Sequence, residues 1–276
     1  MTERMAAPPA ASLQTSVWLG MPRASRLSIN SVWVDACSWE IYPTGGPSRP
    51  PVQGDRRRTN RSSSSGSCRA ALVCFKPDMN SDLRVRQSAV DDFGAATGGT
   101  LDLLFSNAGI DAKGRFETMP WDKIVALVHV NLLGGMSLIH ASLPMLKATP
   151  GALCRSTASA SAIFGTADLA VYSATQHAVR GLTEALSVEF AAIGVRAADI
   201  LPGIIDTGML PEAQKARMPT EGMLRVLPAE AIAQAVWDAY HGDKLHWYVP
   251  AELADYDVEV TMRPEAARDR RIAGKF

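Results

Sequence analysis

The chain has 276 residues, 47% of them hydrophobic, with 28 Lys/Arg against 28 Asp/Glu. That length accommodates one large α/β domain or two small ones, and the composition is that of a globular protein with a substantial core. No apolar run reads as the roughly 18 residues that a membrane span needs, so no membrane partner and a cytoplasmic location are expected. Four cysteines without CxxC spacing and five scattered histidines argue against a disulfide framework and against a metal site.

The zero net charge hides two different texts. Residues 1–77 hold ten Arg/Lys and four Asp/Glu, so the remainder carries the compensating acidic excess. From Met1 to Arg69 no helical or strand period is sustained, and seven prolines and the Ser62–Ser65 tract interrupt the chain. Residues 1–69 are set apart as an atypical basic Ser/Pro/Arg-rich segment, with 70–276 as the main portion of one α/β domain. The run Arg56–Arg58 reads as a solvated face, and no nucleic-acid partner is expected.

Order begins at Ala70–Phe75, a short apolar run suited to a buried strand, with Asp78 close behind. A helix fits Leu83–Phe93, and Leu101–Phe105 is the next strand, ending in Ser106-Asn107-Ala108-Gly109. A long helix starts near Pro120, where proline costs no hydrogen bond, and runs past Asn131 towards Lys147. Gly151–Ser156 reads as a strand and Tyr172–Ala192 as a helix with Val179, Leu182 and Leu186 on one stripe. Val195–Leu201 is another strand, Pro228–His241 a helix that Gly242 is placed to cap, and Leu245–Val249 the last strand. Strands alternating with helices imply a Rossmann-like, doubly wound parallel sheet, with ligands beyond the carboxyl ends of its strands. The amino-terminal strands are poorly specified.

The residues with chemistry fall at those ends. Asn107-Ala108-Gly109 closes a strand. Ser159 follows the next strand, and Tyr172 opens a helix thirteen residues on. Pro202, Gly203, Ile205 and Thr207 follow a third strand. Asn131 sits mid-helix, where a short polar side chain wants a reason.

Together these residues resemble the short-chain dehydrogenase/reductase family over roughly residues 78–246. The segment from Ser159 to Tyr172-Ser173-Ala174-Thr175-Gln176 is similar to the family's Ser…Tyr-x-x-x-Lys signature, and Asn-Ala-Gly, Asn131 and Pro-Gly-x-x-x-Thr stand in the family's order. The resemblance implies hydride transfer between NAD or NADP and a carbonyl or alcohol carbon. Tyr172 would be general acid in reduction and base in oxidation, and Ser159 would stabilise developing charge. Asn131 would hold a water. Asn107, Ala108 and Gly109 would line the cofactor cleft, with Pro202, Gly203, Ile205 and Thr207 beside the nicotinamide and Asp78 near the adenine. The resemblance also implies a homodimer or homotetramer through the helices carrying Asn131 and Tyr172.

Two departures qualify it. The family's lysine is Gln176, which can share the helix face of Tyr172 and bond ribose hydroxyls but supplies no charge. The Thr-Gly-x-x-x-Gly-x-Gly loop is not found in residues 1–100. Arg155, a charge inside an expected buried strand, is a further oddity. The sequence therefore supports an oxidoreductase impaired in this chain, with a catalytically inactive scaffold or binding protein of the same fold as the alternative. Ile163, Phe164 and the Met- and Leu-rich stretch 209–227 suggest an apolar carbonyl or alcohol substrate.

Overall fold

A computed structural model describes residues 87–274 in full, together with the backbone of residues 32–35, 70–74 and 83–86. Asp78 and nearly all of the atypical segment 1–69 lie outside the described residues. The sheet has six parallel strands in spatial order β1 (Val32–Asp35), β2 (Ala70–Cys74), β3 (Leu103–Ser106), β4 (Leu153–Thr157), β5 (Arg196–Pro202) and β8 (His246–Val249). A second, two-stranded sheet pairs β6 (Ile205–Asp206) with β7 (Leu227–Pro228).

Alternation along the strands sends side chains to two different cores. On one face Leu104 of β3 and Cys154 of β4 meet Phe93 of α1 (Leu83–Thr97), Leu138 and Leu146 of α3 (Gly135–Lys147) and Phe190 of α4 (Ala170–Ala191). On the other face Leu103, Phe105, Leu153, Ala198 and Ile200 pack against Ala235, Val236 and Ala239 of α6 (Glu230–His241). The chain steps in one direction from β3 through β4 and β5 to β8, yet α6 crosses on the face opposite to α3 and α4. The last crossover thus has the opposite hand to its neighbours, a departure from the usual single hand of such connections.

The expected long helix is one continuous run in three parts. The α2 helix (Trp121–Val128) passes into a π-helical turn (His129–Gly134) and then into α3. Pro120 caps its start with extended backbone, consistent with its missing donor. This run corrects one expectation, because Trp121–Lys147 is by length and composition long and apolar enough to cross a membrane. Leu127, Leu138, Ile139 and Leu146 are nevertheless buried against the rest of the domain.

Gly242 does end α6, but not through the left-handed cap that a glycine there suggests. Its φ is −103°. Glycine is required by crowding instead: a Cβ would stand 2.8 Å from the Trp247 ring and 2.9 Å from the Asp238 carbonyl. The orphan carbonyls of the helix end are met by Arg196, whose guanidinium donates to Ala239, Tyr240 and Gly242.

Beyond β8 the chain forms α7 (Leu253–Met262) and α8 (Pro264–Ile272), which the sequence reading did not assign. Leu253, Val260 and Ala267 join Ala158, Ile163, Val179 and Leu201 in a third core. A polar network fastens this corner. Arg180 bonds Asp257 and Glu184, Tyr248 bonds Asp257, and His246 bonds the buried Asp199 at 2.8 Å. Burial works against ionisation of Asp257, but the hydrogen bonds from Arg180 and Tyr248 outweigh it and hold the carboxyl below its ordinary value.

Candidate active site

The carboxyl ends of β3, β4 and β5 bring the expected residues together. Asn107 follows β3, and its Oδ1 accepts a 2.7 Å hydrogen bond from Thr157 Oγ1 at the end of β4. This bond ties the two loops that leave adjacent strands. Ser159 follows β4 with extended backbone and opens a short 3-10 turn, Ala160–Ala162. Its Oγ accepts from the Ser161 N–H at 3.1 Å, and the hydroxyl lies near enough to the Tyr172 phenol to favour its ionised form. With one lone pair engaged by Ser161, the Ser159 proton is available for the phenolic oxygen.

Tyr172 stands in the first turn of α4 and is half-buried. Desolvation pushes its phenol above the ordinary value; the Ser159 hydroxyl opposes that shift, and the Asp111 carboxylate adds to it. No cation among the described residues favours the ionised phenol. One turn on, Gln176 is only 4% exposed, and its Oε1 has no hydrogen-bond partner among the described residues. A buried acceptor without a donor is costly, so this atom is suited to a hydroxyl supplied from outside the protein.

Asn131 owes its place to the π turn, an irregularity that recurs at functional sites. Its side chain clamps one residue of the loop after β3. Oδ1 accepts from the Ile110 N–H at 2.8 Å, and Nδ2 donates to the Ile110 carbonyl at 2.9 Å. Nδ2 also donates to Thr175 Oγ1 at 3.2 Å, and Thr175 donates to the Tyr172 carbonyl at 2.7 Å. Both N–H groups of the amide are thus used by protein, and a water held by this side chain would meet only the second lone pair of Oδ1. Gly109 lies directly over the clamp, where a Cβ would sit 3.5 Å from Asn131 Oδ1.

The residues after β5 form the other wall. The Gly203 N–H donates to the Val249 carbonyl at 2.7 Å, and Ile205 joins Leu227 in the small parallel pair. Thr207 Oγ1 accepts from the Met209 N–H at 3.4 Å. The segment beyond, with α5 (Glu212–Lys215), reaches back to the loop after β3, since Lys113 bonds Gln214. Ile163 is packed in the third core, while Phe164 packs beside it under the Arg271 guanidinium, 4.9 Å from the ring centroid. Their apolar character is accounted for by packing against α7 and α8.

Sequence reasoning did not single out Thr157, Ile110 or Asp111, and it gave Thr175 no role. Thr175 and Thr157 could have been found from spacing, being placed beside Tyr172 and Ser159. Ile110 and Asp111 carry no sequence signal, because a backbone clamp and a through-space charge leave none.

The arrangement is a hydroxyl–phenol pair at the carboxyl ends of parallel strands, with a buried amide acceptor one helical turn beyond. The short chain dehydrogenase family model matches residues 55–218, and the chain belongs to that family. The match begins well before Asp78, so it extends into the segment that sequence patterning left unread. The chain is 31% identical to the cyclohexanol dehydrogenase of Acinetobacter sp. strain SE19 over 153 residues, 54% of this chain and 60% of the relative. It is 30% identical to the D-beta-hydroxybutyrate dehydrogenase of Cupriavidus necator, over 49% of this chain and 50% of the relative. The chain spans about half to three-fifths of the length of these curated relatives. Among solved structures, a short chain dehydrogenase from Burkholderia cenocepacia in complex with NADP has the same fold. It superposes with a TM-score of 0.60 at 23% identity, covering 73% of this chain and 78% of that one. The ligand-free aldohexose dehydrogenase of Thermoplasma acidophilum matches with a TM-score of 0.57 at 19% identity, covering 65% of this chain and 82% of that one.

Proposed function

We propose that this chain is an NAD(P)-dependent oxidoreductase that reduces a small, largely apolar ketone, or oxidises the matching alcohol, with Tyr172 as the proton-transferring group. The observation that carries the reading is the buried Gln176 Oε1, without a donor among the described residues, one helical turn beyond Tyr172 at the mouth of the sheet. The bound nicotinamide nucleotide supplies the hydride in reduction and accepts it in oxidation. Tyr172 gives its phenolic proton to the carbonyl oxygen, and Ser159 donates a hydrogen bond to the same oxygen as charge develops there. Gln176 Oε1 accepts from a ribose hydroxyl, which is the partner its buried, unpaired state calls for. Asn107, Ala108 and Gly109 line one side of the cofactor, and Pro202, Gly203, Ile205 and Thr207 the other. Asp78 is retained as the adenine-side carboxylate. An apolar substrate is supported by the exposed Met209 of the segment after Thr207 and by the name of the cyclohexanol relative.

Gln176 sets the level of activity. A phenol near or above pH 10 is ionised to at most about 0.1% at pH 7, so alcohol oxidation lacks its base. Gln176→Lys is expected to raise the oxidation rate at neutral pH by about tenfold or more, and to move the alkaline limb of the pH profile to lower pH. The check is turnover of cyclic and aliphatic ketones and alcohols with each nicotinamide cofactor, for parent and variant. A parent that turns over none of them with either cofactor, together with a variant equally inert, favours the non-catalytic scaffold instead.

We further propose that two copies associate through the α2–α3 and α4 surface. Trp121 is 75% exposed and Val188 likewise, with Leu133 and Met136 also open. Large apolar side chains left open on these helices are what a second copy would cover. Leu133→Glu with Val188→Glu is expected to convert the oligomer to monomer in sedimentation velocity. A parent that is already monomeric at micromolar concentration would refute the association.

A further inference from the structure

Residues 208–218 are held to the rest of the fold by very little. None of their side chains is buried, and none joins a hydrophobic core. Their backbone hydrogen bonds are local, as from the Leu210 N–H to the Thr207 carbonyl and from the Arg217 N–H to the Gln214 carbonyl. Lys215 turns back to Asp206, at the start of the same segment. Among the described residues, the one hydrogen bond from this stretch to a residue outside 206–218 runs from Lys113 Nζ to Gln214 Oε1, at 2.5 Å.

Its two partners are anchored very differently. Lys113 is a fixed post. It lies between Ile110, whose N–H and carbonyl are both clamped by Asn131, and Gly114, whose N–H donates to the Asp168 carbonyl at 2.9 Å. Gln214 sits on α5, in the middle of a loop that is fastened at its roots. There Ile205 pairs with Leu227, Met223 packs against the third core, and Arg225 bonds Glu252 at 2.8 Å. Strand order supplies the rest. In the sheet β4 lies between β3 and β5, so a bond from the loop after β3 to the segment after β5 spans the carboxyl end of β4. Ser159 follows that end, and Tyr172 opens the next helix.

We propose that the Lys113–Gln214 bond is a latch that closes residues 208–218 as a roof over the proton-transfer site and limits the size of the substrate, so that both residues determine specificity. The inference rests on the reading of the Ser159–Tyr172 site as the place where a ketone is reduced. With the latch made, a small ketone fits beneath the roof and a long one collides with it. With the latch broken, the stretch keeps only its own short-range bonds and swings about its base at β6 and β7. A hydrogen bond between solvent-accessible groups is modest, so the roof opens readily for entry and release.

The first arm of the test is limited trypsin digestion of the full chain without ligand. Cleavage after Lys215 and Arg217 is followed by mass spectrometry and referred to cleavage after Arg225, which the Glu252 bond holds in place. Lys113→Met keeps the length of the side chain and removes its donor. Lys113 is exposed, so the melting temperature should not move. Cleavage at Lys215 and Arg217 should quicken about tenfold relative to Arg225, as expected when one charge-assisted hydrogen bond is lost from the closed state. Lys113→Arg, which restores a donor, should return it to the parent rate. The second arm is reduction of butanone and of a decanone. In Lys113→Met kcat/KM for the decanone should rise about tenfold while that for butanone stays within about twofold of the parent. A merely structural defect would lower both together. Cleavage at the parent rate in folded Lys113→Met overturns the latch. Faster cleavage with an unchanged ratio of decanone to butanone overturns its role in substrate size. A parent that reduces no ketone with either cofactor overturns the reading of the site, and the size role with it, while the digestion decides the latch by itself.

Discussion

Replacing Tyr172 with phenylalanine is expected to lower ketone reduction by about 10²–10⁴-fold while leaving the fold intact. The phenolic oxygen is the proton donor proposed for this site, with the Ser159 hydroxyl beside it. Phenylalanine keeps the ring in the first turn of α4, and the Thr175 bond to the residue-172 carbonyl does not involve the side chain. Steady-state reduction and a thermal melt on the same preparation check this. Turnover within a fewfold of the parent, with an unchanged melt, would place the proton donor elsewhere. A collapsed melt would be read against Ser159→Ala, which removes charge stabilisation without touching the helix.

The second large effect concerns stability. Arg155 lies at the middle of β4 between Phe105 and Ala198, is 0% exposed, and among the described residues has no hydrogen-bond partner for Nε or either terminal nitrogen. Burial pushes its guanidinium down to about 9, against the attraction of Asp199 and Asp238. An unpartnered buried cation is among the more expensive features a core can carry. Arg155→Val, with a β-branched residue suited to a central strand, is expected to stabilise the protein by about 1–4 kcal/mol and raise the Tm by several degrees. The pH dependence has a definite sign. The folded guanidinium loses its proton at lower pH than the unfolded one, so as the pH rises above about 9 the unfolded chain binds more protons and the parent gains stability. The advantage of Arg155→Val should therefore be full below pH 9 and narrow above it. Chemical denaturation across that range tests both parts, and a variant less stable than the parent at pH 7 would show that Arg155 has a partner in solution.

Much of the sheet was legible because buried parallel strands and amphipathic helices have distinct periods. From β3 onward the expected strands and helices stand within a few residues of their observed bounds. The site was legible for a related reason: residues such as Asn107, Ser159 and Gly203 follow strand ends, where side chains leave the packed sheet and composition departs from the apolar pattern. What escaped was of two kinds. The helices α7 and α8 carry weak stripes, and α8 is strongly polar, so their burial depends on partners such as Ile163 that lie far away in sequence. The Asn131 clamp joins a side chain to a backbone 21 residues away, and no sequence period encodes such a contact. Gly242 is the instructive intermediate case. Its place at the end of α6 follows from the pattern, but the reason for glycine is the Trp247 ring, which only the fold brings there.

The reading of the site turns on one property that can be measured without a substrate: binding of a nicotinamide nucleotide. Quenching of tryptophan emission on titration with NADH and with NADPH, repeated on Gln176→Leu, measures it directly. The account predicts saturable binding of at least one of the two by the parent. It also predicts about tenfold weaker binding by Gln176→Leu, which removes the buried acceptor proposed to meet the ribose. A folded parent that binds neither cofactor at millimolar concentration, or a Gln176→Leu variant that binds as tightly as the parent, would contradict it.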